Sequence, residues 1–431
     1  MLKKILLSLI ILILLIPTSF VIGINIENQD AKTTQTEKSY ADIESLLNRV
    51  NESILSYYLE KFVSFGFKMT GSDNASKCAD WIKQEFENLG LYTYFDEWKF
   101  LRYQDKNVVA IHNGTNPNSD AVILISAHYD TIGNSPGAND DGSGIAAMLS
   151  IANITRNIDF NHTLRFIAVS GEEEGTYGSF ADAKKAYYRD ENIIAMLNID
   201  MVGYANKSDE HIVQIFCPQR SEWIFDLTEK IAEKYESNFQ ITPQHTMHYP
   251  ADHESYNDLG YDSIQFIQCK PEDAYWFHTP EDNLERITYN YLVNVTKLVS
   301  ALACELADRP IDVQVRITDP KEAYIYFLDF PLIKLPCYNL YRTRLRSITY
   351  LYGKTTVKLK ITTDEKINSV YFGIDGYMRH IVKEPPYEWK IGTEIYKFFK
   401  LKGFYRITVC VSTNTGKIAQ DEIDVYIAKM L

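Results

Sequence analysis

The chain has 431 residues, of which 45% are hydrophobic and 13% aromatic. This composition excludes an intrinsically disordered protein, and the length allows two or three domains. The formal net charge of −13 argues against a nucleic-acid partner, because nucleic-acid-binding proteins present a basic surface.

The N-terminal segment predicts export. Lys3 and Lys4 precede an apolar run over residues 5–16, as in a secretory signal peptide. With its apolar continuation the run is also long enough to span a bilayer. We therefore assign residues 1–24 to a signal peptide or an N-terminal membrane anchor, and the polar residues 25–40 to a linker. The protein is expected to be secreted, or anchored to the outer face of the cytoplasmic membrane through this segment.

Helical and extended patterns alternate in the next part of the chain. Apolar residues recur at intervals of three and four over residues 40–67 and predict one amphipathic helix. A second helix is predicted over 75–89, and strands over 92–99 and 107–112.

Residues 121–144 concentrate polar groups at the end of a strand. The apolar run 121–126 predicts a buried strand, and Ser143 is the predicted N-cap of a helix ending near Ile154. Open α/β sheets carry ligand sites at such strand ends, and imidazole with carboxylate suits a divalent metal. Taken alone, the segment is equally compatible with a solvated acidic loop. The loop between strand and helix contributes His128, Asp130, Asp140 and Asp141.

Later strands also end in acidic residues or are followed by histidine. Because the carboxyl ends of parallel strands meet at one edge of a sheet, we expect these groups to converge. The pattern predicts an α/β fold in which a mixed β-sheet is sandwiched between helices. The predicted strands are 163–169, which leads into GEEEG, 193–199, which leads into Asp200, and 263–269, which precedes FHTPED; the predicted helices are 221–236 and 288–307.

The pattern changes near residue 310 to short alternating strands separated by turns. This predicts an all-β sandwich over residues 309–431 and leaves 41–308 as the domain with the candidate site. The segment VYFGIDGYMRHIVKEPPYEWKI resembles the immunoglobulin-like modules appended to exported microbial enzymes. Strands are predicted over 313–315, 356–360, 369–372, 387–389, 405–409 and 423–426.

Five motifs, in the order AHYD, GANDDGSG, SGEEEG, NIDMVG and FHTPED, resemble those of the co-catalytic dizinc aminopeptidases. This family of zinc exopeptidases includes bacterial leucyl aminopeptidases and, more distantly, glutaminyl cyclases. The similarity covers roughly residues 45–307. It implies a zinc exopeptidase-like fold, two Zn²⁺ ions per chain, and peptides with a free N-terminus as substrates.

The resemblance also implies a role for each residue of the site. Glu172 is similar to the general base that takes a proton from a metal-activated water, and Asp130 to the residue that orients a histidine ligand. A cis peptide bond is implied between Asp140 and Asp141. The implied ligands are His128 and Asp200 for one zinc, Glu173 and His278 for the other, and Asp140 as the bridge between both.

Two departures from the family pattern leave questions open. Phe277 stands where some relatives carry a tyrosine that supports the oxyanion, so that support is expected from the metal, Tyr256 or Tyr275. His253 lies in a segment similar to a family Ser-Asp-His sequence and is expected to be structural. Two alternatives to the aminopeptidase remain: a glutaminyl cyclase-like acyltransferase, and a non-catalytic surface protein on the same scaffold.

Overall fold

A computed structural model describes residues 42–428 except for 118, 190, 219–220, 247–249, 310–312, 336–347, 364 and 392–402. The predicted signal peptide or anchor and the linker lie outside these residues. Within the described ranges, no helix combines the length and apolar character that a membrane crossing requires. Cys337 also lies outside them, and the other five cysteines are free thiols.

The N-terminal helical region consists of two helices, so the prediction of one helix over 40–67 is wrong. Helix α1 spans Ile43–Leu47 and α2 spans Glu52–Val63. Between them Asn51 adopts an extended backbone, and its side chain accepts a hydrogen bond from the Ile54 amide at 3.2 Å. Asparagine is a strong N-cap, and here it restarts the helix although the apolar periodicity continues. Helix α3, Asp73–Asn88, agrees with the prediction.

A mixed sheet of eight strands forms the centre of the first domain. Its strand order is β1-β2-β4-β3-β5-β8-β6-β7, and β4, β3, β5 and β8 run parallel. All four parallel strands therefore end at the same edge, which we call the ligand rim. The strands are β1 Tyr92–Phe100, β2 Tyr103–His112, β3 Ala121–His128, β4 Thr163–Val169, β5 Asn192–Ile199, β6 Ile212–Phe216, β7 Thr242–His245 and β8 Ser263–Gln268.

Helices cover both faces of this sheet, which confirms the predicted sandwich. One core cluster joins the sheet to α1–α4, α6 and α8, and a second joins its other face to α5 and α7. Burial of these apolar faces drives the layering. The remaining helices are α4 Gly142–Thr155, α5 Tyr177–Arg189, α6 Glu222–Lys234, α7 Asp252–Asn257 and α8 Tyr289–Asp308.

The C-terminal region is all-β, with two sheets around its own core. The order of the larger sheet is β11-β10-β12-β18-β17-β14-β15, and that of the smaller is β16-β13-β9. Buried residues of both sheets, such as Phe372 and Trp389, form one cluster between them. The immunoglobulin-like classification stays a prediction. The strands are β9 Gln314–Asp319, β10 Tyr324–Phe327, β11 Phe330–Lys334, β12 Thr349–Tyr352, β13 Thr355–Thr362, β14 Ile367–Ile374, β15 Tyr377–Val382, β16 Glu388–Ile391, β17 Gly403–Thr413 and β18 Ile418–Ala428.

The C-terminal region contacts the first domain away from the ligand rim. The guanidinium of Arg316 donates to the carbonyl of Glu191 at 2.8 Å, and Lys360 forms an ion pair with Asp120. Glu191 and Asp120 each immediately precede a parallel strand, β5 and β3 respectively. These contacts therefore lie at the amino ends of the strands, at the edge opposite the ligand rim.

A substitution of Arg165, on β4, tests how much the buried charges of the domain contribute to its stability. Arg165 is 5% exposed and contacts Asp182 and Glu191. Arg165→Met should lower the free energy of unfolding by about 3 kcal/mol or more, because it leaves the Asp182 carboxylate buried without its cation. The matched control is Arg189→Met, since Arg189 pairs with the same Glu191 but its side chain is 61% exposed. The control should change stability by less than about 1 kcal/mol in urea denaturation; equal effects would contradict the prediction.

Candidate metal centre

The predicted site residues converge on the ligand rim. His128 is the last residue of β3, Asp200 directly follows β5, and the Glu172–Glu173 pair lies in the loop after β4. His278 lies in the loop between β8 and α8. Segments separated by up to 150 residues of chain thus meet because parallel strands end together.

Two groups of three side chains lie at this rim, and they share Asp140. One group is His128, Asp140 and Asp200; the other is Asp140, Glu173 and His278. Asp140 Oδ1 is 3.1 Å from His128 Nε2, and Asp140 Oδ2 is 3.0 Å from His278 Nε2. Glu173 Oε2 is also 3.0 Å from His278 Nε2.

These donors fit a pair of divalent metal ions. The donor atoms of each group lie within 4.8 Å of one another, and all are imidazole nitrogens or carboxylate oxygens, which zinc accepts. Glu173 Oε1 is buried and has no hydrogen-bond partner in the described structure, so a carboxylate oxygen remains available there. The side chain of His278 is 40% exposed, so this side of the centre opens to solvent.

The backbone around Asp140 is fixed by a buried carboxylate that the ligand assignment did not include. Asp282 accepts hydrogen bonds from the amides of Asn139 at 2.8 Å and Asp140 at 3.1 Å. The peptide bond between Asp140 and Asp141 is cis, which confirms that implication of the resemblance. Asp282 thereby orients the residue that both groups share.

Asp141, rather than the predicted Ser143, is the N-cap of α4. Its carboxylate accepts from the Gly144 amide at 2.9 Å and also from the amides of His128 and Met201, both at 3.2 Å. Ser143 lies inside the helix, and its hydroxyl donates to the Asn139 carbonyl at 2.7 Å. One capping carboxylate thus ties the start of α4 to the ends of β3 and β5.

Asp130 contacts two different parts of the centre. Its backbone carbonyl, rather than its carboxylate, lies at hydrogen-bond distance from His128 Nδ1, at 3.1 Å. Its buried carboxylate accepts from the Thr70 hydroxyl at 3.0 Å and from the amides of Glu172 and Glu173, both at 3.3 Å. The carboxylate therefore orients the glutamate loop, while the carbonyl orients the histidine.

Protons and metal compete for the same atoms. Burial lowers the pKa of His278, but hydrogen bonds to Asp140 and Glu173 outweigh burial and raise this pKa to about 10. Burial raises the pKa of Glu173 to about 7, and repulsion from Asp140 adds to this rise. Histidine must be neutral and carboxylate ionised to bind metal, so metal affinity should fall as the pH falls.

Several residues around the centre were not predicted from sequence. Gln265 donates to Asp200 Oδ2 at 3.1 Å. Lys68 is fully buried and donates to the carbonyls of Gly66 and Pro136, both at 2.8 Å. Burial lowers the pKa of this lysine to about 8. These contacts join residues far apart in the chain or use backbone carbonyls, and neither leaves a local sequence pattern.

Of the two tyrosines expected to support the oxyanion, one is unsuited to that role. Tyr256 is fully buried in the core between α5, α7 and the sheet, and its hydroxyl donates to Asp182 at 2.7 Å, so the expectation for this residue is wrong. Tyr275 is 78% exposed, and its hydroxyl is free to take that role.

His253 is buried, with its ring centroid 5.0 Å from that of Phe216. Glu174, the third glutamate of the GEEEG motif, is partly buried.

Residues 107–303 match the model of peptidase family M28. A curated relative, the aminopeptidase YwaD of Bacillus subtilis strain 168, is 32% identical over 214 residues. That match covers 48% of this chain and 46% of YwaD, so the chain spans about half the length of this relative.

Solved structures with a similar fold include enzymes of two activities. The zinc aminopeptidase BSAP from Bacillus subtilis has a TM-score of 0.52 at 19% identity, over 61% of this chain and 95% of that protein. The glutaminyl cyclase of Porphyromonas gingivalis has a TM-score of 0.51 at 20% identity, over 60% and 99%. The likeness confirms the predicted fold and does not distinguish between the two activities.

Asp282 provides a test of how the centre is held. Asp282→Ala leaves the amides of Asn139 and Asp140 buried without an acceptor, so zinc affinity should fall about 10- to 100-fold. The matched control is the exposed neighbour Glu281, whose carboxylate pairs with Arg286 at 2.7 Å at the surface. Calorimetric zinc titration of Glu281→Ala should give the wild-type affinity. Unchanged affinity in Asp282→Ala would mean that this backbone anchor is dispensable.

Proposed function

We propose, on the premise that residues 107–303 are a peptidase family M28 domain, that the protein is an exported zinc-dependent aminopeptidase. The observation that carries the proposal is the pair of three-donor groups sharing Asp140, with Glu172 next to the ligand Glu173. Release of the N-terminal residue from unblocked peptides, lost on chelation and restored by zinc, is the experiment that tests it.

The residues of each group would hold one zinc ion. His128 and Asp200 would bind the first ion, Glu173 and His278 the second, and Asp140 would bind both through its two oxygens. Bound as a pair, the ions would polarise the scissile carbonyl and lower the pKa of a water. The acidic rim would also attract the positively charged N-terminus of a peptide.

Glu172 would act as the general base. Its amide is held by Asp130 beside the ligand Glu173. Burial raises the pKa of Glu172 well above its ordinary value, and this shift favours proton acceptance from the attacking water. The same carboxyl group would then donate the proton to the leaving nitrogen of the peptide.

The two alternatives make different predictions. A glutaminyl cyclase-like acyltransferase would release ammonia from N-terminal glutamine and leave peptide bonds intact. A non-catalytic surface protein would do neither. The complete set of five donors favours a catalyst over the surface protein, and the aminopeptidase YwaD among the relatives favours hydrolysis over cyclisation.

Export follows from the sequence of residues 1–24, with Lys3 and Lys4 before the apolar run. Cell fractionation with and without these residues tests this part of the proposal. The full-length protein should be found outside the cytoplasm or in the membrane fraction. Its recovery in the cytoplasm alone would contradict export without affecting the proposed chemistry.

The adjacent glutamates should have separable effects. Glu172→Gln removes the base but no ligand, so it should keep two zinc ions and lose about 10²-fold or more in kcat. Glu173→Gln should weaken binding of one zinc ion, and added zinc should restore part of its activity. The measurement is zinc content beside kcat.

Glu174→Gln is the matched control, because it makes the same change in the same loop outside the proposed set. It should keep both zinc ions and most of the activity. If Glu172→Gln loses a metal while Glu173→Gln keeps both, the two roles are reversed.

A further inference from the structure

The β1–β2 hairpin projects beyond the ligand rim beside the glutamate loop. Strand β2 pairs with β4 only as far as Val108, which lies opposite Ala168, one residue before β4 ends. Residues 103–107 continue past this point and pair with residues 96–100 of β1. At about 3.4 Å per residue, five residues raise the tip up to about 17 Å above the rim.

Side chains at the base of the hairpin fasten it to the loop that carries Glu172 and Glu173 and to the start of α5. The carboxylate of Asp105 accepts from the hydroxyl of Ser170 at 2.7 Å, and Asn107 donates to the carbonyl of Gly178 at 2.9 Å. Trp98 packs so closely against Gly171 that a Cβ there would lie 2.7 Å from the indole. The tip therefore has a fixed position relative to the glutamates.

The tip, which we define as residues 100–103, presents an apolar and aromatic surface. The ring centroid of Tyr177, which follows the glutamate loop, lies 4.7 Å from that of Phe100 and 5.6 Å from that of Tyr103. Phe100 is nevertheless 44% exposed, and Leu101 is 76% exposed. Exposed apolar side chains that cluster beside a group of polar residues favour a binding surface.

Arg102 adds a positive charge to this tip. Its guanidinium donates to the Tyr103 hydroxyl at 2.7 Å and lies 4.9 Å from the centroid of that ring. Among the described residues, no carboxylate lies within ion-pair distance, and Glu174 is an acidic group close enough to interact with it electrostatically. Tyrosine thus orients the guanidinium without neutralising it.

We propose that the tip binds the leaving part of a peptide substrate and that Arg102 binds the C-terminal carboxylate of that peptide. This inference rests on the proposed aminopeptidase function. Guanidinium pairs with carboxylate through two parallel hydrogen bonds, and the acidic rim would otherwise repel the carboxylate. An extended peptide spans about 3.3–3.6 Å per residue, so a peptide of up to about five residues matches the length by which residues 103–107 extend past the rim. The preferred substrates are therefore unblocked tri- to pentapeptides.

The test compares peptides Leu-(Gly)n of two to eight residues, each as the free acid and as the C-terminal amide. For wild-type protein loaded with zinc, KM for the free acid should be about tenfold or more below that for the amide at three to five residues. Arg102→Ala and Arg102→Gln should both abolish this difference. Lys99→Ala removes an exposed charge from the same hairpin and should preserve it.

Equal KM values for acid and amide at every length, or a preference that survives both Arg102 variants, would overturn the inference. A further series of peptides consists of the C-terminal amides in which one Gly is replaced by Asp. A dependence on Arg102 seen only with these peptides would assign Arg102 to a substrate side chain and contradict the C-terminal assignment.

Failure of the proposed function has a different outcome. The wild-type protein would then release leucine from no peptide of the series. Calorimetric binding of the free-acid tetrapeptide to the zinc-loaded chain still tests Arg102 in that case. Binding about tenfold weaker in Arg102→Ala than in Lys99→Ala would support the inference, and equal binding would overturn it.

Discussion

The carboxylate of Asp140 must face two histidines at once, and much of the rim is built around this requirement. One oxygen lies 3.1 Å from His128 and the other 3.0 Å from His278. A side chain with only two torsion angles can do this only if its backbone is fixed. Asp282 holds the amide of Asp140, and Asp141 caps the helix that follows. The glycine at 144 is also required, since a Cβ there would lie 2.3 Å from the carbonyl oxygen of Ile199.

The supporting carboxylates are satisfied largely by neutral donors. Asp130, Asp141 and Asp282 each accept two or more backbone amide hydrogen bonds. Lys68, a buried cation nearby, donates to two backbone carbonyls. These contacts therefore do not neutralise the proposed ligand carboxylates, whose charge is balanced by protons on His128 and His278 or by a cation from outside the chain. A buried carboxylate without a counter-charge is energetically costly. These carboxylates therefore favour tight binding of a divalent ion.

The sequence predicted the layered fold and the convergence of the proposed ligands at one rim, because both depend on local sequence patterns. Each proposed ligand except His278 lies at or just after a strand end or in the loop before a helix, and apolar runs mark those strands. Asp282 and Gln265 act through partners 143 and 65 residues away, so no local pattern marked them. The break between α1 and α2 depends on one capping residue, which the apolar periodicity of the segment concealed. In the C-terminal region, strand β11 was not predicted. It is exposed along its whole length, so no alternation of apolar and polar residues marks it in the sequence.

Zinc stoichiometry of alanine variants at the ligand positions tests the shared carboxylate most directly. Wild-type protein should bind two zinc ions per chain. Asp200→Ala removes a ligand from one group only and should weaken one ion, whereas Asp140→Ala removes a ligand from both groups and should weaken both. If Asp140→Ala retains one zinc ion at wild-type affinity, the two groups do not share this residue and the account of a bridged metal pair is wrong.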